Sequence, residues 1–237
     1  MNDIVQNISL IRLTLMLIPV AVVFIIFFRW QTGATTVVYA TIRMIVQLIL
    51  VGYLLSMIFN SNSPLVIGLV LLFMLLISAW IAIRPLKEKN RQGYFRTLWA
   101  ISIGSLPVLA LVTQAALRVQ PWYEPRFIIP LAGMIFSNSM NAVSLALERY
   151  GSEIASGTGF LDARAVAYRA SLIPITNALF AVGLVSLPGM MTGQILSGVS
   201  PLIAARYQIV VMCMIFGSAG ISSAVYLSLA GGGLNES

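Results

Sequence analysis

Histidine is absent from this 237-residue chain, cysteine occurs once, and seven acidic residues stand against fourteen basic ones. The lone thiol, Cys213, lies in an apolar stretch, so disulfides and Cys/His metal cages are excluded. Charged residues make up only 9% of the sequence, far below the roughly 25% of an ordinary soluble domain. No G-x-x-x-x-G-K-[ST] loop is present to cradle nucleotide phosphates. The chain is therefore not expected to be an ATP-hydrolysing enzyme, and any ATP and Mg²⁺ would be bound by a partner.

What is abundant is apolar surface, at 59% of residues. A bilayer-spanning helix takes about 20 apolar residues. Seven of them would use roughly 140 residues and leave roughly 95 for loops and ends, too few for a sizeable extramembrane domain. The formal charge of +7 fits cytoplasmic loops of a membrane protein better than a nucleic-acid surface, and no nucleic-acid partner is expected. Asp3 precedes the first apolar stretch and Arg12 interrupts it, which argues against a cleaved signal peptide.

Apolar windows predict seven spans, at 9–28, 36–59, 65–83, 97–117, 127–147, 172–197 and 207–229. Lys and Arg favour the cytoplasmic side in short loops. That rule places Arg29, the 84–96 segment with Arg84, Lys87, Lys89, Arg91 and Arg96, and the segment with Arg149, Arg164 and Arg169 inside, leaving Arg118, Arg126 and Arg206 outside. The amino terminus is then outside and the carboxyl terminus cytoplasmic. Trp30, Trp99, Trp122 and Tyr123 fall near the predicted span ends, as interface anchors do. The expected architecture is all-α, a single transmembrane permease domain over 1–237 with cytoplasmic loops 84–96 and 148–171.

No Asp or Glu falls well inside a predicted span, which disfavours a self-powered proton carrier. Arg12 lies close enough to a span end to snorkel. Arg43 lies one to two turns into the second span with Gln47 at i+4 on the same face, open to snorkelling or to a role as a fixed cation beside a path. The fifth span is the most polar. Met134, Ser137, Asn138, Asn141, Ser144 and Glu148 recur at three- and four-residue steps and share a stripe, which must face protein or water. Interhelical hydrogen bonding and a translocation surface both satisfy that requirement. In the sixth span, Pro188-Gly189 precedes Met190, Met191 and Gln194, and proline next to glycine predicts a kink or break there. Gly217, Ser218, Gly220, Ser222 and Ser223 suit close helix packing in the last span. The methionines are open to soft-ion binding or ordinary apolar filling, and they identify no metal. The 148–171 segment, with Glu148, Arg149, Glu153, Asp162, Arg164 and Arg169, is long enough for a short amphipathic helix and reads as a solvated loop or as a docking element.

The run Gly183-Leu-Val-Ser-Leu-Pro-Gly-Met-Met-Thr-Gly-Gln-Ile-Leu-Ser-Gly198, followed by Pro201 and Ala205-Arg-Tyr-Gln-Ile209, closely resembles the FetB-type family of ABC-transporter permeases. Arg43, Gln47, Val51-Gly-Tyr53, Ile129-Pro-Leu-Ala-Gly-Met134, Asn138 and the Arg169 to Pro174 stretch extend the likeness over most of the chain from about residue 36 onward. The resemblance implies a small permease paired with a separate cytoplasmic ATPase, described in bacteria as an iron exporter, with plant relatives linked to aluminium tolerance. Iron ligation by side chains draws on carboxylate, imidazole or thiolate, which the spans almost lack. A chelated metal or an amphipathic organic molecule suits the lining better.

These readings combine into one expectation: a dimeric permease in the bacterial inner membrane, exporting an iron-like metal ion or metal complex. A dimer of ABC ATPase subunits would dock on Glu148, Arg149, Asp162, Arg164 and Arg169. Met134, Ser137, Asn138, Asn141, Pro188, Met190, Met191 and Gln194, with Arg43 and Gln47, would line the path. The alternatives are a membrane scaffold or regulatory subunit without a path, and an ion-coupled secondary carrier.

Overall fold

The computed structural model describes residues 9–59, 63–86 and 90–231. Regular structure among them is helical, without a strand. The chain divides into two units, Met1–Ser61 and Asn62–Ser237.

The first unit holds α1 (Leu10–Leu15), α2 (Leu17–Arg29) and α3 (Ala34–Ile58). Ser9 starts α1 by accepting the Arg12 N–H at 3.4 Å. The interruption at Met16 lies where Pro19 has no N–H to give the Leu15 carbonyl and its ring crowds that oxygen. The α2 to α3 turn closes on Gly33 at φ +87°, a left-handed conformation that suits glycine. No side chain of α2 or α3 is buried within the described protein.

The second unit comprises α4 (Pro64–Ala82), α5 (Arg91–Ala110), α6 (Pro125–Ala155), α7 (Phe160–Ala181), α8 (Gly189–Leu196) and α9 (Pro201–Gly231). A π-helical stretch, Leu111–Ala116, prolongs α5. Proline opens α4, α6 and α9, where its missing N–H would have had no intrahelical acceptor anyway. Asn90 caps α5 by accepting the Gly93 N–H at 2.6 Å. Helix α9 is central, packed on α5, α6 and α7, and α6 also packs on α4, α5 and α7.

Lipid chains are as apolar as leucine, so helix association in a bilayer depends on close fit and polar contacts more than on hydrophobic burial. The core supplies both. A Cβ on Gly104 of α5 would lie 2.6 Å from the backbone nitrogen and 2.8 Å from the Cα of Ser222 on α9, so these two backbones touch. Gly231 similarly admits the Phe160 ring of α7. Ser105 Oγ and Ser139 Oγ hydrogen-bond at 3.0 Å between α5 and α6, both fully buried. Ser78, Thr113 and Ser218 instead return their hydroxyls to carbonyls of their own helices.

The all-α expectation holds. Six helical stretches among the described residues have the length and apolarity to cross a bilayer: Arg12–Arg29, Ala34–Ile58, Pro64–Ala82, Arg91–Ala116, Pro125–Ala155 and Pro201–Gly231. The predicted span 172–197 is not one helix, because α7 stops at Ala181 and α8 resumes at Gly189. The 148–171 segment is not a loop either. It consists of the last turns of α6, a short turn at 156–159 and the first half of α7. Its charges lowered the hydropathy, but its Ala, Leu, Arg and Glu are strong helix formers. The 84–96 segment is shorter than expected as a loop, since Arg91 and Arg96 belong to α5. Lys87 and Lys89, the first eight residues and the tail from Gly232 lie outside the described residues.

Candidate functional site

A cavity of about 410 Å³ opens among α6, α7, α8 and α9, entirely within the second unit. Helix α6 brings Met134, Asn138 and Asn141 to it on one face, through steps of four and three residues. Ser171 and Pro174 come from α7, Ser186 and Pro188 from the connection, Met190 from α8, and Gln208 and Met212 from α9.

The break between α7 and α8 shapes this wall. Gly183 adopts φ +81°, and the Ala181 carbonyl accepts from the N–H groups of Leu184, Val185 and Ser186 at 3.2, 2.8 and 3.1 Å. Gly183 N–H donates to Ser186 O at 2.9 Å. The irregular backbone thus supplies several of its own hydrogen-bond partners, while the side chains of Leu184 and Val185 stand exposed. Pro188 then sits extended at the start of α8, whose first N–H groups have no acceptor within the helix. Gly189 and Met190, in that first turn, line the cavity.

Asn138 Nδ2 donates to the Met134 carbonyl at 2.8 Å, leaving the amide oxygen as an acceptor. Gln208 is 6% exposed, and its Oε1 has no hydrogen-bond partner. No Asp, Glu, Lys or Arg is among the cavity-lining residues. No group of three or more His, Cys, Asp or Glu that could hold a metal ion occurs among the described residues.

A smaller cavity of about 110 Å³ lies alongside, lined by Arg126, Pro130 and Tyr207 among others. Met134, Met190 and Val211 line both cavities and form the wall between them. Helix α6, 31 residues long, extends about 46 Å at 1.5 Å per residue. Arg126 and the smaller cavity therefore lie toward one end of it, Asn138 near its middle, and Glu148 and Arg149 toward the other.

Five of the path residues expected from sequence, Met134, Asn138, Asn141, Pro188 and Met190, converge on the larger cavity. Ser137 does not. It is exposed and bonds the Met134 carbonyl of its own helix at 3.2 Å. Met191 and Gln194 lie on α8 but do not line the cavity, and Gln194 Oε1 is buried without a partner. Arg43 and Gln47 belong to the first unit and pair with each other. With the amide oxygen turned toward the guanidinium, Gln47 accepts from Arg43 Nε at 3.0 Å and Nη2 at 3.2 Å. Sequence reasoning missed Gln208 as a lining residue, although a lone amide in a long apolar helix is itself a signal.

Glu148, Arg149, Asp162, Arg164 and Arg169 are all exposed. Arg149 pairs with Glu153 at 2.5 Å. Arg164 lies over the Phe160 ring, 5.5 Å from its centroid, and Asp162 is in the first turn of α7, where its charge suits the helix dipole. Of these charged residues only Glu148 lines a groove of about 750 Å³, which runs between Pro85 and Leu86 after α4 and Glu148, Gly151, Ser152 and Ala155 of α6.

The profile of the Uncharacterised protein family (UPF0014) matches residues 9–164 and 157–232. A UPF0014 membrane protein of Synechocystis is 39% identical over 206 residues, 79% of each chain. The Escherichia coli protein named "Probable iron export permease protein FetB" is 35% identical over 200 residues, 77% of this chain and 75% of its own. The Arabidopsis thaliana protein named ALUMINUM SENSITIVE 3 is 33% identical over 201 residues, 78% of this chain and 72% of its own. No solved structure matches. With its apolar helices and these relatives, the chain is a multi-pass membrane protein belonging to the UPF0014 family.

Proposed function

We propose that this chain is the permease subunit of an ABC transporter, exporting an iron-like metal ion or a metal complex with ATP hydrolysed on a separate ATPase dimer. The observation that carries this reading is the cavity near the middle of α6, lined by Asn138, Asn141 and Gln208 and walled from a second cavity by Met134, Met190 and Val211. A solute held there would leave past the methionine wall. The relative named as an iron export permease supports the metal-linked cargo. The absence of carboxylates from the cavity lining favours an external power source over proton coupling.

In this reading the exposed charges of α6 and α7 and the groove beside Glu148 receive the ATPase. The basic residues at that end support a cytoplasmic docking side, and with α7 and α8 together making a seventh crossing the amino terminus lies outside and the carboxyl terminus inside. The permease works as a homodimer in the bacterial inner membrane, one ATPase subunit per protomer.

Co-purification with the ATPase and measurement of ATP hydrolysis test the assignment. Charge reversal at Arg164 and Arg169 is expected to weaken the complex and abolish stimulated hydrolysis, and an unchanged complex with unchanged hydrolysis would refute the docking face. A second reading, a scaffold without a path, draws on the Ser105–Ser139 bond, which makes part of the polar span interhelical glue. Cysteine at Asn138 or Asn141 in a Cys213→Ser background separates the two readings. Labelling by a water-soluble thiol reagent in some nucleotide state supports the path, and protection in every state supports the scaffold.

A further inference from the structure

One polar group in the cavity has no role in the fold. Gln208 is almost wholly buried, lines the cavity, and leaves Oε1 without a partner. A buried acceptor with no donor is costly, and a leucine would fill the space without that cost. Asn138 adds a second acceptor, since its Nδ2 is engaged by the Met134 carbonyl. Donors come from the first turn of α8, where Gly189 and Met190 face the cavity and the helix dipole is positive.

This mixture discriminates between cargo charges. A bare metal cation would find no carboxylate, imidazole or thiolate among the lining residues, and the start of α8 would oppose it. An anion would be favoured by the start of α8 but would find no Lys or Arg among the lining residues to neutralise it. An uncharged molecule with both donors and acceptors pairs with both sets once the Gln208 amide, whose Oε1 is itself covered, turns into the cavity, and its apolar parts lie against Met134, Met190 and Met212. The volume of about 410 Å³ is that of a site for a small molecule.

We propose that this cavity binds an uncharged solute carrying hydrogen-bond donors and acceptors on a partly apolar body, and that Gln208 is the residue that recognises it. Two sources share that chemistry, a metal ion already enclosed by neutralising oxygen ligands and a metal-free organic molecule. The inference rests on reading the cavity as the transport path.

The test uses the full chain in lipid nanodiscs, with Cys213→Ser and Ser186→Cys, so that a thiol on the exposed connection reports occupancy without altering Gln208. Three probes are compared: the neutral, exchange-inert tris(acetohydroxamato)chromium(III) complex, free acetohydroxamic acid, and ferrous ion under ascorbate. The neutral complex is expected to slow maleimide labelling saturably, while ferrous ion, which the added thiol could itself ligate, is expected not to bind the Cys213→Ser chain without that thiol. Equal protection by the free acid supports a metal-free organic cargo instead of a chelate. Direct binding of the radiolabelled complex should weaken about tenfold in Gln208→Leu, the loss expected for one hydrogen bond, and less in Gln208→Asn. Saturable binding of radiolabelled ferrous ion, but not of the complex, to the Cys213→Ser chain without the added thiol, or equal binding of the complex to Gln208→Leu, overturns the proposal. Flux through vesicles containing the ATPase separates it from the path reading. Binding that depends on Gln208 without flux refutes the path and leaves the binding class standing, whereas ferrous flux unaffected by the complex refutes the class and leaves the path.

Discussion

Substituting Gly104 by alanine tests whether backbone contact between α5 and α9 holds the second unit together. The added methyl would lie 2.6 Å from the nitrogen and 2.8 Å from the Cα of Ser222. Those atoms are backbone, so no rotamer change relieves the overlap and the helices must separate. Overpacking of this kind costs about 1–3 kcal/mol. Replacing a helical glycine by alanine returns about 0.5–1 kcal/mol through propensity, leaving a net loss centred on about 1 kcal/mol and at most about 2.5 kcal/mol. Gly217, one helical stretch along α9, meets nothing within 4 Å, so Gly217→Ala should show the propensity gain alone. Equilibrium unfolding in mixed micelles of rising SDS content, followed by circular dichroism, measures both. The Ser222→Ala change in the Gly104→Ala background removes the hydroxyl but not the backbone atoms, and should rescue only part of the loss. If Gly104→Ala unfolds no earlier than wild type, or Ser222→Ala restores it fully, the backbone-contact argument is wrong.

A double-mutant cycle on Ser105→Ala and Ser139→Ala should give a coupling of about 0.6 kcal/mol, with an upper limit near 1.7; strictly additive effects on unfolding would mean that the 3.0 Å bond contributes nothing. Reversing Arg149, whose partner Glu153 is four residues on in the same helix, should shift stability by less than about 1 kcal/mol, so a large loss of ATPase stimulation with an unchanged melting curve would identify a docking effect. Met190→Ala removes part of the wall between the two cavities and should raise passive leakage of a neutral probe from loaded vesicles without ATP; leakage equal to wild type would show that the wall does not limit passage. Because no titratable side chain lines the larger cavity, binding of a neutral probe should stay flat between about pH 5.5 and 8, and a sigmoidal pH profile would require a titrating group at the site.

The long apolar runs made the helices readable, because one physical variable, the length of uncharged sequence, governs them. Three-and-four spacing correctly put Met134, Asn138 and Asn141 on a shared face. Ser139, one step off that stripe, was found to be the interhelical bonding residue only through its contact with Ser105, a partner 34 residues away in sequence. Hydropathy left 148–171 open between a solvated loop and a short amphipathic helix because it measures suitability for lipid, whereas helix formation depends on backbone propensity. Pro188 marked the break, yet the helix ends earlier, at Ala181, where Gly183 can turn left-handed and three N–H groups converge on one carbonyl. Gln208 stands out as the one amide of α9, yet neither periodicity nor composition indicates which side of an apolar helix meets a cavity.

The uncharged lining of the larger cavity has an electrical consequence. Moving one elementary charge across a membrane potential of 100 mV takes about 2.3 kcal/mol, and the lining side chains of this cavity carry no formal charge at neutral pH. When these walls rearrange, they therefore displace no formal charge through the field, and the voltage does no corresponding work on them. Among the cavity and its contents, the only formal charge left for the field to act on is that of the cargo. A flux through this cavity that stays constant from polarised to depolarised vesicles would come from a neutral passenger, and one that bends with voltage would report the passenger's charge directly.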